Sequence, residues 1–260
     1  MGVLCGMQRA LTYLRYRLQA KGIHRAHSPF LFTLFEEVFN EEKHYYVFDA
    51  IERERMRRWN DDRSIEVEDL GAGSRAMKGS SRSIASIAKH SAKRPKYARM
   101  LFRLIHHQDY TRVLELGTSL GITTAYLAAA AKETISVEGS SSLAEEAKGT
   151  LERTKQSAQV IHSSFDDYLK SLDPRERFDL IFIDGHHQGE ALLNYFTLLK
   201  PHLNDNGCFV IDDINWSADM QRAWQALIQD DAFELKLDLF ELGLLFKREG
   251  MVPQYHQIRY

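Results

Sequence analysis

From residue 111 onward, short apolar runs alternate with longer stretches of helical periodicity. Strands are predicted at 112–116, 134–138, 159–162, 178–184, 207–213, 232–238 and 242–247. Helices are predicted over 121–131, 141–155, 164–172, 188–203 and 217–230, between the first six strands. Alternation of this kind builds a parallel sheet covered by helices on both faces. Phe178 to Asp184 and Gly207 to Asp212 are nearly continuous apolar runs, as strands buried on both faces are. Only the stretch 238–242 joins the last two strands, which is too short for a crossover helix, so they are expected to form an antiparallel hairpin. The expectation is an α/β fold with a mostly parallel seven-stranded sheet and a C-terminal antiparallel hairpin.

The first 110 residues read differently. Leu11, Tyr13, Leu14 and Leu18 fall at helical spacing within 7–20. Ser28 is a good N-cap and Pro29 suits the first helical position, so a second helix should run from Pro29 to about Asn40. Phe30, Leu31, Leu34, Phe35, Val38 and Phe39 give that helix a broad apolar face. A third, heavily charged helix is predicted near 48–59. Residues 65–70 alternate like a strand and enter a turn with Gly71 and Gly73; Arg75 to Ser83 is polar and reads as a loop or lid, with a helix starting only near Ser83. The division that follows is a helical N-terminal extension over 1–110 and a main domain over 111–260.

Composition narrows the setting. No apolar run approaches the roughly 20 residues that span a bilayer, and the N-terminus lacks a signal-peptide layout. The chain has two cysteines, Cys5 and Cys208, far apart in sequence. That excludes a disulfide framework and a zinc cluster as organising features, and a reducing cytoplasm is expected. The net charge of −2 hides an asymmetry: residues 1–110 carry 20 Lys and Arg against 13 Asp and Glu, for +7, leaving −9 for 111–260. Most of the excess lies between Arg75 and Arg103, without an intervening acid. Such a run serves as a solvated helical face that docks on acidic surface, or as a site for an anionic substrate or nucleic acid.

The candidate chemistry lies at the carboxyl ends of the strands, where open α/β sheets bind their ligands. The strand 112–116 runs into Gly117-Thr118-Ser119-Leu120-Gly121, a glycine turn that lets the backbone approach a ligand and opens a helix whose first N–H groups are unpaired. Glu138 ends the next strand, roughly 20 residues on, where an acid can accept both hydroxyls of a ribose. Ser163, Ser164 and Phe165, then Asp184, then Asp212 and Asp213 close the remaining strands.

In series, Glu115 to Gly121, Val137-Glu138-Gly139 and Phe178 to Gly185 resemble the class I S-adenosylmethionine-dependent methyltransferases, closest to the catechol O-methyltransferase-like branch. The resemblance covers about 111–250 and implies a Rossmann-like methyltransferase fold. It implies that Glu115, Gly117, Thr118, Ser119, Gly121 and Thr123 surround the methionine part of the cofactor. Glu138, with Gly139, would hold the ribose; Ser164 and Phe165 would flank the adenine; Asp184 would also reach the cofactor. The helix around Lys96 and Tyr97 would approach the same pocket.

Metal-dependent relatives hold a hard cation with acids at the ends of two neighbouring strands. The matching positions are Asp184, Asp212 and Asp213, a set suited to Mg²⁺ or Ca²⁺. The relatives have an asparagine where this chain has Asp213, and Asn215 is expected to point elsewhere. His187 falls where relatives place a lysine that deprotonates the substrate. With Asp184 it forms the candidate catalytic pair, as general base or metal ligand. Trp216 is a candidate wall of the substrate pocket, while His186 and His162 are expected to be structural.

The expected activity is O-methylation of a small-molecule hydroxyl with S-adenosyl-L-methionine, assisted by Mg²⁺, the extension 1–110 covering the acceptor. Two other substrate readings stay open: RNA, or another anionic acceptor, through 75–103. A nicotinamide oxidoreductase would need a tighter Gly-x-Gly-x-x-Gly turn than Gly117 to Gly121 supplies. A non-catalytic binding protein is the remaining rival, and a homodimer is a further expectation, with no membrane partner.

Overall fold

The computed structural model describes residues 12–20, 28–69 and 77–260. Cys5, Leu11, the Gly71 to Gly73 turn and Arg75 lie outside the described residues. Helix α1 covers 12–19. Helix α2, Pro29–Leu34, starts where its cap signal says, with Ser28 Oγ accepting the Leu31 N–H, and continues as a π-turn through Phe35–Phe39. Then follow α3 (Tyr46–Trp59), β1 (Ser64–Asp69), β2 (Met77–Ser83), α4 (Ile84–Ser91) and α5 (Pro95–His107). Beyond residue 110 come β3 (Arg112–Leu116), α6 (Ile122–Ala130), β4 (Glu133–Glu138), α7 (Ser141–Thr154), β5 (Gln159–His162) and α8 (Phe165–Ser171). The chain ends with β6 (Phe178–Ile183), α9 (Gly189–Leu199), β7 (Leu203–Asp212), α10 (Ala218–Leu227), β8 (Leu235–Asp238), β9 (Leu242–Phe246) and β10 (Gln254–Gln257).

The α/β reading of 111–260 holds, with three corrections to the expected elements. Residues 77–83 are not a loop: they form β2, antiparallel to β1, with Ile65 opposite Arg82 and Val67 opposite Ser80. The N-terminal segment is therefore not wholly helical. An eighth strand, β10, joins the expected seven by pairing in parallel with β8. Both missed strands are polar, and backbone pairing, not side-chain patterning, makes them strands. Third, the leucines of α1 do not face a core, Leu14 being 58% and Leu18 79% exposed, while Tyr16 packs with Ala20 and Phe240.

The chain divides into two compact units, one of Glu36–Asp173 and the other of Pro174–Tyr260 with the residues up to Phe35. In the first, β3, β4 and β5 pair in parallel, in that order, with Leu116 beside Val137 and Glu138 beside His162. This register brings the carboxyl ends of the three strands to one edge. Helices α3 and α5 pack on α6 through Phe48, Ile51, Ala98, Phe102, Ala125 and Tyr126. A second cluster joins Val67 of β1 to Ile84 and Ile87 of α4, to Leu120 of the glycine turn and to Leu143 of α7. The hairpin and α4 thus back the turn from behind.

The charges of α3 are structural. Arg58 is fully buried, and its guanidinium reaches Glu54 Oε1 at 2.9 Å, Thr150 Oγ1 at 3.0 Å and the Glu146 carbonyl at 2.6 Å, with the Glu146 carboxylate also paired. Glu54 also accepts from Arg57 and Arg153 at 2.8 and 2.9 Å. Burial raises the Glu54 pKa, but these guanidinium contacts outweigh it and hold the carboxyl below its ordinary value. The heavily charged helix is thereby fastened to α7.

In the second unit β6 and β7 are parallel, β9 runs antiparallel between β7 and β8, and β10 flanks β8. The tight turn expected between the last two long strands is present, with Phe240 at φ +69° and Leu239 N–H donating to Leu242 O. Helices α9 and α10 pack together, and Phe196, Phe209 and Phe233 meet at centroid separations of 4.8 to 5.9 Å. Helix α2 docks by Phe30, edge-on to Phe246 at 5.5 Å and covered by the Arg248 guanidinium at 4.1 Å. Among the described residues no helix is long and apolar enough to cross a membrane.

The Arg58 network makes a stability prediction. Arg58→Ala removes a fully buried guanidinium that joins Glu54, Glu146 and Thr150, and should cost about 3–5 kcal/mol in urea unfolding. A loss under about 1 kcal/mol would mean that the remaining arginines neutralise the site unaided.

Candidate functional site

The glycine turn follows from β3 and from three left-handed backbone positions. Gly117, Ser119 and Gly121 have φ of +107°, +48° and +76°. At Gly121 a side chain is excluded twice: by that φ, and by the Ala147 backbone, 3.0 Å from where a Cβ would stand. Gly121 is also the N-cap of α6. The turn is pinned by Gly117 N–H to Val137 O and Gly121 N–H to Thr118 O, each 2.9 Å.

The parallel register sets Glu138 beside this turn. One carboxylate oxygen accepts the Ser119 N–H at 2.7 Å and the other accepts the Ser140 N–H at 2.9 Å. Burial pushes the Glu138 pKa up, and the backbone donors partly counter it. His162, level with Glu138 on β5, contacts the Gly139 carbonyl at 3.2 Å through Nε2, so Gly139 is held from that side.

Beneath the turn lies Glu115, fully buried. Its Oε2 accepts from Thr124 Oγ1 at 2.5 Å and from Ser136 Oγ at 2.6 Å, and Ser136 in turn bonds Thr118 Oγ1 at 2.5 Å. Its other oxygen, Oε1, is buried with no hydrogen-bond partner. Burial raises the Glu115 pKa to about 7; the Ser136 and Thr124 hydroxyls lower it, and the nearby Glu138 charge raises it. Thr123 is buried in the first turn of α6, 6% exposed. Ser136, Thr124 and Ser140 were not singled out in the sequence. The readable signal was Ser136, a hydroxyl in the middle of the apolar strand Thr134 to Val137.

Ser164 and Phe165 have local duties. Ser164 caps α8, accepting the Asp167 N–H at 3.1 Å and touching Asp167 Oδ2 at 2.7 Å, and Phe165 is buried at the first position of that helix. In the basic segment, Arg99 lies over the Phe48 ring at 5.4 Å, and Arg103 bonds the Val38 carbonyl at 3.3 Å and lies 3.8 Å from Glu41. Two of its charges are thus engaged inside the fold. Tyr97 is buried in α5 while Lys96 is exposed.

In the other unit, Asp212 closes β7 with 2% exposure and Asp213 follows at φ +50°. Donor atoms of His187, Asp212 and Asp213 all lie within 4.8 Å of one another, with His187 Nε2 3.8 Å from Asp213 Oδ2. Asp184, expected as the third carboxylate, stands outside this group, just past the end of β6. The His187 ring lies 5.8 Å from that of Trp216, which is 48% exposed. His186 instead bonds Tyr195 Oη at 2.8 Å, and Asn215 donates to the Phe240 carbonyl at 2.9 Å. One imidazole and two carboxylates make a competent set of donors for a divalent cation.

Glu115 links the site to stability. Its folded pKa lies above the unfolded value, so between about pH 4.5 and 7 the folded chain holds the extra proton. Stability should therefore fall as pH rises through that window, by about 3 kcal/mol in full. Glu115→Gln should flatten the profile in urea titrations at pH 4.5 to 8; an unchanged slope would assign the fall elsewhere.

Comparison with known proteins agrees with this geometry. Residues 114–214 match the family model described as a methyltransferase domain. No curated protein sequence matches the chain. Among solved structures, the O-methyltransferase from Bacillus cereus in complex with SAH is 16% identical, with a TM-score of 0.56, over 80% of this chain and 92% of that one. SAH-bound methyltransferase PaMTH1 of Podospora anserina is 14% identical, with a TM-score of 0.57, over 80% of this chain and 90% of that one. The SAM-bound O-methyltransferase TomG from Streptomyces achromogenes is 19% identical, with a TM-score of 0.52, over 60% of this chain and 81% of that one. At these identities the likeness is one of fold. Residues 114–214 thus match a methyltransferase domain, set on a mostly parallel sheet that ends in an antiparallel hairpin.

Proposed function

We propose that the enzyme methylates a hydroxyl of a small molecule, with a divalent cation assisting. The observation that carries the cofactor side is the meeting of the Glu138 carboxylate with the N–H of Ser119 in the glycine turn. One further feature fits an S-adenosylmethionine site: Glu115 Oε1 is a buried acceptor left for a donor, as the cofactor's ammonium group is. The O-directed reading draws on the O-methyltransferases that share the fold.

Bound S-adenosylmethionine supplies a methyl group already activated on a sulfonium, and a divalent cation lowers the pKa of an acceptor hydroxyl. The chain's own residues then have limited tasks. The open N–H groups at the start of α6 bind the cofactor's carboxylate and Glu138 accepts from its ribose hydroxyls. Ser164 and Phe165 flank the adenine, and Asp184 contacts the cofactor. Asp212, Asp213 and His187 hold the cation, Mg²⁺ or, with an imidazole among the donors, Mn²⁺. When the cation is held by the two carboxylates alone, the free His187 Nε2 is the proton acceptor. A small acceptor is favoured over RNA because Arg99 and Arg103 are taken up by Phe48, Val38 and Glu41.

Calorimetry with S-adenosylmethionine, with and without Mg²⁺ or Mn²⁺, tests this reading. Glu138→Ala should weaken cofactor binding by about 1–3 kcal/mol, the worth of charge-assisted hydrogen bonds. Asp212→Ala should remove cation binding and leave cofactor affinity in cation-free buffer unchanged. Full cofactor affinity in Glu138→Ala would refute the ribose role, and cation binding that survives Asp212→Ala would refute the metal site.

A further inference from the structure

Helix α1 is oriented against its own hydrophobic pattern. Leu14 and Leu18 are exposed, while Thr12, Arg15 and Gln19, spaced for one helical face, line a cavity of about 540 Å³. The opposite wall is the face of α10 that carries Gln221, Arg222 and Gln225, again spaced for one side of a helix. Where two helices face each other across the surface of a fold, apolar residues normally fill the seam. Here amides and guanidiniums share the lining with Tyr16, Ala218 and Trp224, and a void remains, within the range of small-molecule sites.

The base of the cavity adds two observations. Trp224 is 1% exposed and lines it, with its indole N–H directed at Asp238 and Tyr255. Asp238 is buried, but its carboxylate is already committed: it accepts the Phe240 N–H at 2.7 Å, Tyr255 Oη–H at 3.1 Å and the Gln257 amide at 3.3 Å. At the mouth, Arg222 is paired with Asp219 at 3.0 Å, whereas Arg15 has no acidic partner among the described residues. The groups left over are therefore one guanidinium and several amides that can both give and accept.

From these donors we infer that the cavity between α1 and α10 is a binding site for a polyhydroxylated small molecule carrying a phosphate or carboxylate. Each hydroxyl of such a ligand both donates and accepts, which matches the side-chain amides of Gln19, Gln221 and Gln225. Its anionic group pairs with Arg15. The site is formed by residues of one unit only and is separate from the Glu138 and glycine-turn residues.

Titration calorimetry on the full chain with glucose 6-phosphate, glucose, glucuronate and inorganic phosphate tests the inference. Glucose 6-phosphate or glucuronate should bind, with glucose and phosphate each at least about tenfold weaker, as loss of a charge-assisted contact or of several hydroxyl contacts implies. Arg15→Ala should weaken the anionic sugars about tenfold and leave the small affinity for glucose unchanged. Because Arg15 is exposed, its variant should keep the wild-type melting temperature; Gln225→Leu is a second probe and should weaken glucose as well. Phosphate binding as tightly as the phosphorylated sugar would overturn the polyhydroxyl part. No heat with any of the four at 10 mM (about the weakest affinity a site of this kind would show), or binding unaffected by both variants, would overturn the site.

Discussion

Parallel pairing of β3 with β4 sets Leu116 beside Val137, and so brings the residues after each strand together at one edge. There the Glu138 carboxylate accepts the N–H groups of Ser119 and Ser140. A carboxylate half-buried at a strand end is costly unless donors meet it. The left-handed turn supplies one, and the start of the segment leading to α7 supplies the other. The same contact therefore shapes the turn and orients the acid, and the cofactor reading rests on both being true at once.

The polar layer under the turn extends this arrangement inward. Glu115, Ser136, Thr118 and Thr124 form one chain of hydrogen bonds, closed except at Glu115 Oε1. A partly satisfied buried network is expensive in a low-dielectric interior, and proteins keep such features where a function needs the open valence. The raised Glu115 pKa is the electrostatic signature of that cost, as burial favours the neutral acid. A positively charged group brought next to Oε1 would reverse the balance and favour the carboxylate.

Polar groups also organise the surroundings of the two candidate sites, in different ways. In the unit of Glu36–Asp173, Arg58 and Glu54 are buried and fully engaged, so they fasten α3 to α7 and leave nothing for a ligand. In the other unit, α1 and α10 face each other with amides that find few partners, and the result is a cavity. The distinction is one of satisfaction: closed networks specify packing, open ones leave capacity for recognition.

Much of the chain beyond residue 110 was legible in the residues. The apolar runs Phe178 to Asp184 and Gly207 to Asp212, the glycines around Ser119 and the short link before Leu242 all act through local rules of burial, turn geometry and connection length. Those rules need no knowledge of the rest of the chain. What lies at long range was not legible. The polar strands β2 and β10 exist because other strands offer them backbone partners, and no side-chain period announces that. The inward charges of α3 and the outward leucines of α1 follow from which neighbour each helix met, since amphipathic patterning names a face but not what covers it. The sequence by itself determined the order of elements from β3 to β9 and which residues stand at the ends of those strands. Tertiary structure alone decided that His187 gathers with Asp212 and Asp213 while Asp184 stands apart, because positions of side chains a few ångströms from each other depend on strand register and on backbone turns such as Asp213 at φ +50°.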